Sequence, residues 1–218
     1  MAPEGIQNQG ATCWFGSLIQ CLRVCRDWSH DDPGQDQFTQ EFYKIVKSEP
    51  NQFLQEFLKK FPDFTGLPSD SQEALLFILD RLETSIGFKD FTGEVTQTIT
   101  WAEGTSVTKY PCTIWWAPEK ELVLSDYQDS TGKKFHVAIQ ETRLTKVPKV
   151  LVTSGQTPPI EKGLTGLVAL YGGHYVAFVR PDGDEWFLVN DEAVHKASPD
   201  LSKSYYLAFH TVENGLPP

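Results

Sequence analysis

The apolar residues of this 218-residue chain change their period once, near residue 88, and that change restricts the fold more than any other feature. Before it, Leu18, Cys21, Leu22 and Cys25 recur at spacings of three and four from Cys13 onward, which predicts a helix with one apolar face. Phe38, Phe42, Ile45 and Val46 predict a second helix, and Phe53, Phe57, Leu58 and Phe61 a third that stops before Pro62. Ser69-Asp70-Ser71-Gln72-Glu73 reads as an N-cap cluster ahead of Leu75, Ile78, Leu79, Leu82 and Ile86, a helix ended by Gly87. After it, strands are expected over Val95–Trp101, Thr113–Trp116, Leu122–Leu124, Phe135–Ile139 and Lys149–Val152. Tyr175–Arg180 and Trp186–Val189 flank the turn residues Pro181-Asp182-Gly183-Asp184 and should form a hairpin, and Ser204–Val212 is expected to close the sheet. Loops are expected at Ser29–Gln37, Thr153–Gly166 and Glu213–Pro218. Helices first and strands after give an α+β fold with a mainly antiparallel sheet.

With 40% apolar and 12% aromatic residues the chain can bury a core. A formal net charge of -10 argues against nucleic acid and anionic membrane as partners and suits a basic protein or peptide substrate. The cysteines are Cys13, Cys21, Cys25 and Cys112, with no CxxC pair, so neither a disulfide framework nor a metal site is expected. No cofactor is expected either. The N-terminus lacks an apolar signal region and no run reaches the length of a membrane span, which predicts a soluble intracellular protein of a reducing compartment, cytoplasmic or nuclear.

Cys13 stands where the first helix begins, and the partial positive charge of a helix N-terminus stabilises a thiolate, the nucleophilic form. Far downstream come Gly172-Gly173-His174-Tyr175 and then Asn190-Asp191, across the expected hairpin. Adjacent antiparallel strands would put Asn190 beside His174, where its side-chain oxygen can fix the imidazole tautomer. Acyl transfer also needs donors aimed at the developing oxyanion: the Asn8 side chain and the Cys13 backbone N–H qualify. The helical lobe would carry the cysteine and the sheet lobe the histidine. Each residue also has a plain structural role open to it: a buried thiol for Cys13, a turn for His174 and for Asn190-Asp191, a helix cap for Asp70 and Glu73. The case rests on their joint presence.

Three segments in order resemble the ubiquitin-specific protease family. Gly5-Ile6-Gln7-Asn8-Gln9-Gly10-Ala11-Thr12-Cys13-Trp14 with Ser17, Leu18 and Gln20 is similar to its cysteine box. Ser69–Leu75 is similar to its acidic segment, and Gly173–Arg180 with Trp186-Phe187 and Asn190–Val194 to its histidine box. Thr145–Val152 resembles its sheet-entry strand. The resemblance implies one papain-like catalytic domain over residues 1–218, with a helical thumb at 1–88 and fingers and palm at 89–218. It implies Cys13 as nucleophile, His174 as base, Asn190 as orienting residue with Asp191 able to share that role, and Asn8 as oxyanion donor. It implies that Asp70 and Glu73, with Gln72 beside them, bind the arginines of the ubiquitin tail, and that Gly172, Gly173 and Tyr175 line a channel for its two terminal glycines. Ubiquitin or a ubiquitin-like modifier is thereby the expected partner.

The chain departs from the family pattern in several places. Phe91–Asp129 holds only Cys112 where most members carry two zinc-binding CxxC pairs, so the fingers are expected to be short and free of metal. Leu164–Tyr171 leads almost directly to Gly172 where a longer loop is usual, Trp14 replaces a tyrosine and Gly16 an asparagine. The reading that follows is a thiol-dependent deubiquitinase. Two alternatives stay open: an isopeptidase for another ubiquitin-like modifier, and a catalytically silent binding scaffold. Linkage preference, organism and oligomeric state are not legible in the sequence.

Overall fold

The computed structural model describes residues 2–48, 50–62, 70–116, 121–155 and 163–212. Among the described residues four α-helices come first: α1 (Cys13–Cys25), α2 (Gln37–Lys47), α3 (Pro50–Lys60) and α4 (Ser71–Ile86). Eleven strands follow: β1 (Gly93–Trp101), β2 (Gly104–Cys112), β3 (Ile114–Trp115), β4 (Leu122–Gln128), β5 (Lys134–Lys146), β6 (Val150–Ser154), β7 (Leu164–Tyr171), β8 (His174–Val179), β9 (Phe187–Asn190), β10 (Ala193–Lys196) and β11 (Leu207–Thr211). The helices lie where the period-3.6 pattern put them. Asp36 caps α2 through Thr39 N, Asp70 caps α4 through Gln72 N and Glu73 N, and Gly87 ends α4 in the left-handed conformation. Ser69 and the 213–218 tail lie outside the described residues.

The strands form two sheets rather than one. A four-stranded sheet runs β2-β1-β5-β4 and a seven-stranded sheet β10-β9-β8-β7-β11-β6-β3. Every pairing is antiparallel except β3 with β6. The last strand does not close an edge: β11 sits in the interior of the large sheet, between β7 and β6. The loop expected at Thr153–Gly166 is shorter, because Thr153 and Ser154 finish β6 and Leu164–Gly166 begin β7. β7 is an apolar run that reads as strand only once it pairs with β8 and β11.

Helix α1 is the centre of the molecule. Ten of its thirteen residues are buried, including the polar Ser17 and Gln20, so it is covered on nearly all sides and not on the single apolar face expected. Phe15, Leu18, Ile19 and Leu22 are fully buried against the other helices on one side and β7, β8 and β11 on the other. Each such side chain contributes about 1.5–3 kcal/mol of burial free energy. The opposite face of the large sheet is sealed by a smaller cluster of Leu164, Leu167, Val176, Phe178, Tyr205 and Ala208. Cys21 and Cys25 are fully buried free thiols, and burial pushes both thiol pKa values up, which keeps them inert.

Candidate active site

Cys13 is the first residue of α1, 9% exposed, with Thr12 at the N-cap position. The Thr12 side chain does not cap the helix; it accepts from Gln9 N at 2.9 Å and donates to Asn8 Oδ1 at 3.3 Å. Asn8 Oδ1 also accepts from Thr12 N at 3.1 Å. With its oxygen so engaged, the Asn8 amide presents its nitrogen, and Nδ2 donates to Asp191 Oδ2 at 3.1 Å. Residues 4–6 run along the sheet: Ile6 N donates to Asp191 O at 2.9 Å, and a Cβ on Gly5 would stand 2.3 Å from Glu192 O. Gly5 is therefore required by close approach and not by an unusual φ.

His174 opens β8 directly after the two-residue turn Gly172-Gly173, where Tyr171 pairs with His174. Both glycines have positive φ, 58° and 87°, as a tight hairpin turn of this length demands. Asn190 ends β9, the expected partner of β8, and its Oδ1 lies 2.7 Å from His174 Nε2. With the amide oxygen facing the ring, Nε2 carries the proton and Nδ1 holds the lone pair. Asp191 starts the turn into β10 at a left-handed φ of 51°, which a short polar residue tolerates. Its Oδ2 stands 3.8 Å from His174 Nε2. Asp191 thus faces both Asn8 and His174, while Asn190 alone makes the short contact to the ring. Among the described residues no hydrogen bond joins Cys13 Sγ to His174; the two are brought to neighbouring elements because α1 packs across β8. Such contacts commonly tighten only when substrate is bound.

The acidic segment lies beside Cys13. Ser71 Oγ donates to Trp14 O at 2.7 Å, which pins the start of α4 to the first turn of α1. Asp70 is heavily engaged: Oδ1 accepts from Gln72 N at 2.7 Å and Glu73 N at 3.0 Å, and Oδ2 accepts the Tyr206 hydroxyl. Glu73 is exposed in the first turn, and among the described residues it makes no ion pair. Gln72 Oε1 accepts from Ser154 Oγ at 3.3 Å. Tyr175 is only 7% exposed and meets the Tyr206 ring edge-on at 5.4 Å. Its phenol pKa is raised, first by burial and next by the nearby Asp70 carboxylate, with Cys13 a smaller contributor, so all three occupy one locality. Gly172 and Gly173 are exposed at the hairpin tip. Tyr206 escaped the sequence reading. Burial, then its bond to Asp70, pushes its pKa up and keeps it a neutral donor; nothing in Ser204-Tyr205-Tyr206-Leu207 marked one tyrosine above the other.

The family model described as ubiquitin carboxyl-terminal hydrolase matches residues 4–210. Over 106 residues the chain is 27% identical to ubiquitin carboxyl-terminal hydrolase 2 of Bos taurus, covering 38% of this chain and 18% of that protein. Over 65 residues it is 37% identical to ubiquitin carboxyl-terminal hydrolase 8 of Saccharomyces cerevisiae, covering 27% of this chain and 14% of that one. These matches span less than a fifth of the relatives' length. Among solved structures, the SAGA Ubp8/Sgf11/Sus1/Sgf73 DUB module bound to ubiquitin aldehyde aligns with a TM-score of 0.74 at 19% identity, over 97% of this chain and 70% of that one. The yeast SAGA DUB module with a mutant Sgf73 aligns with a TM-score of 0.76, also at 19% identity, over 97% of this chain and 69% of that one. At that identity the likeness is one of fold: a papain-like α+β domain of helical thumb, palm sheet and fingers. Fold, ordered site and family match over nearly the whole length agree, and this chain belongs to the ubiquitin carboxyl-terminal hydrolase family, of the ubiquitin-specific type.

Proposed function

We propose that the chain is a single catalytic domain acting as a cysteine deubiquitinase that cleaves after the C-terminal Gly-Gly of ubiquitin. The carrying observation is the 2.7 Å contact between His174 Nε2 and Asn190 Oδ1, which leaves Nδ1 as the base on a strand packed against the Cys13 helix. Nδ1 takes the Cys13 proton, and the thiolate attacks the carbonyl of the modifier's terminal glycine. The Asn8 amide and the Cys13 backbone N–H stabilise the oxyanion. The imidazolium gives its proton to the leaving lysine amine. His174 then activates water, which hydrolyses the thioester and regenerates the thiol. Asp191 holds the Asn8 nitrogen toward the site and adds a negative charge near the imidazolium. Ubiquitin is the proposed partner, with its tail passing Asp70, Gln72, Glu73, Tyr175, Gly172 and Gly173. Because Asp70 is occupied by two backbone amides and Tyr206, Glu73 is the more available carboxylate for an arginine of the tail. Free thiols throughout suit a reducing, intracellular location; no helix among the described residues is long and apolar enough to cross a membrane.

Ubiquitin carrying a C-terminal propargyl group, read by intact mass, tests this reading. Wild type should gain one ubiquitin, and Cys13→Ala should gain none. Turnover by Cys13→Ala should fall by about 10⁴-fold or more. Reaction only with the probe of another ubiquitin-like modifier would transfer the proposal to that modifier, and silence across all probes would favour a scaffold.

A further inference from the structure

A cleft of about 480 Å³ opens beside the nucleophile loop, on a side that the proposed tail path does not use. Its wall is the loop Gln9–Thr12, its floor is Trp14, and helix α3 supplies Gln55, Leu58 and Lys59. None of Asp70, Gln72, Glu73, Tyr175 or Tyr206, which gather around the start of α4, lines it. The cleft is built and not incidental: Gln55 Nε2 donates to Gln9 Oε1 at 2.8 Å, tying α3 to the loop, and Gln9 N donates to Thr12 Oγ1 at 2.9 Å. Trp14 is 4% exposed and Leu58 packs on the core, so the floor is apolar and rigid.

The cleft lining carries one cation, Lys59, and no carboxylate. Lys60 is committed to Glu41 at 2.7 Å, but Lys59 makes no ion pair among the described residues. The one carboxylate of α3, Glu56, does not line the cleft. A mixed site of apolar floor, amide wall and one available cation takes a polypeptide segment bearing an apolar side chain and a carboxylate.

Resting on the deubiquitinase reading above, we propose that this cleft is the acceptor-side subsite, which holds the residues flanking the ubiquitinated lysine and favours acidic flanks. A substrate chain crossing Cys13 enters past the α4 end and must leave elsewhere, and Thr12, which shares the cleft wall, adjoins Cys13 in the chain. Acceptor preference is then set by α3 and the nucleophile loop, separately from recognition of the modifier.

Three conjugates test it: ubiquitin-aminomethylcoumarin, which has no flanking residues, and ubiquitin isopeptide-linked to a lysine peptide with either a Leu-Asp or a Leu-Lys flank. Wild type should cleave the acidic-flank peptide about three-fold better in kcat/KM than the basic one, the size of one solvent-exposed ion pair. Lys59→Glu should reverse that ranking. Equal rates on the two peptides in wild type, an unchanged ranking in Lys59→Glu, or a change shared equally with the coumarin conjugate would each overturn the subsite. The coumarin conjugate tests the deubiquitinase reading by itself, since its turnover needs only the tail path and the chemistry; no turnover of any conjugate by wild type overturns both.

Discussion

The two sheets differ in composition and in environment: the large one has mostly apolar strands such as Val150–Ser154 and His174–Val179, and the small one has strands rich in polar and charged residues such as Gly104–Cys112 and Lys134–Lys146. In the large sheet β6 is buried along its whole length and β8 at five of its six residues, because α1 covers one face and a second apolar cluster the other. In the small sheet no residue of β2 is buried, and Val107, Val123 and Val137 are 60%, 64% and 56% exposed. Its register is held by long ladders, such as the nine pairs of β1 with β2, and not by a core. At its tip Trp101 packs on Tyr127 at 5.2 Å and on Phe135 at 5.9 Å, and Lys133 pairs with Glu103. The site hangs entirely on the buried sheet: His174 opens β8, Asn190 ends β9, and the Cys13 helix packs across β8. His174 and Asn190, in contact at 2.7 Å, sit on the buried sheet, and the exposed sheet carries none of the proposed site residues.

Four measurements would break or sharpen this contrast. Phe15→Ala, at a fully buried position beside Cys13, should cost about 3–5 kcal/mol in denaturant unfolding and lower activity with it; a loss under 1 kcal/mol would mean that α1 is not the keystone. Asn190→Ala should reduce kcat by about 10²-fold, near 2.7 kcal/mol, with little change in melting temperature. An equal loss from Asp191→Ala alone would move the orienting role to Asp191.

The third concerns acid stability. Glu41 in the helical region is held below the ordinary carboxylate range, chiefly by its bond to Lys60 at 2.7 Å and then by Lys44 at 3.0 Å. Glu94 in the small sheet is lowered too, first by Lys109, but its side chain is 39% exposed against 7% for Glu41. A depressed folded pKa gives stability that is complete above the unfolded value of about 4.3 and is lost as pH falls through the lower folded value. Glu41→Gln should therefore cost about 2 kcal/mol at pH 7 and flatten stability against pH below about 4.5. Glu94→Gln should flatten that profile far less, because its more exposed ion pair is worth little, and an equal effect from the two would erase the distinction. The smallest effect is expected for Val123→Lys, within about 0.5 kcal/mol of wild type; a large loss would mean that this face is covered.

Much of this was legible beforehand, for reasons that differ by element. Helices α2, α3 and α4 each bury one stripe and announce it by spacing, and the Asp70 cap and the stop at Gly87 set the ends of α4. The hairpin of β8 and β9 was readable from Pro181–Asp184, and with it the meeting of His174 and Asn190. β2 was missed because Gly104–Cys112 has polar residues on both faces and becomes a strand only through its pairing with β1. β7 was missed because its apolar run has no alternation, being buried on both faces.

Local chemistry determined the helices and their order, the fold class and the meeting of His174 with Asn190 across one hairpin, since periodicity, capping and turn residues act over a few positions. Only the tertiary structure decided that β11 lies inside the large sheet, that Asp70 is claimed by Tyr206, that Asp191 faces Asn8, and that a cleft opens between α3 and Thr12. Those are contacts between residues far apart in the chain. They depend on which surfaces are left to pack once the local elements exist, and no short stretch of sequence encodes that.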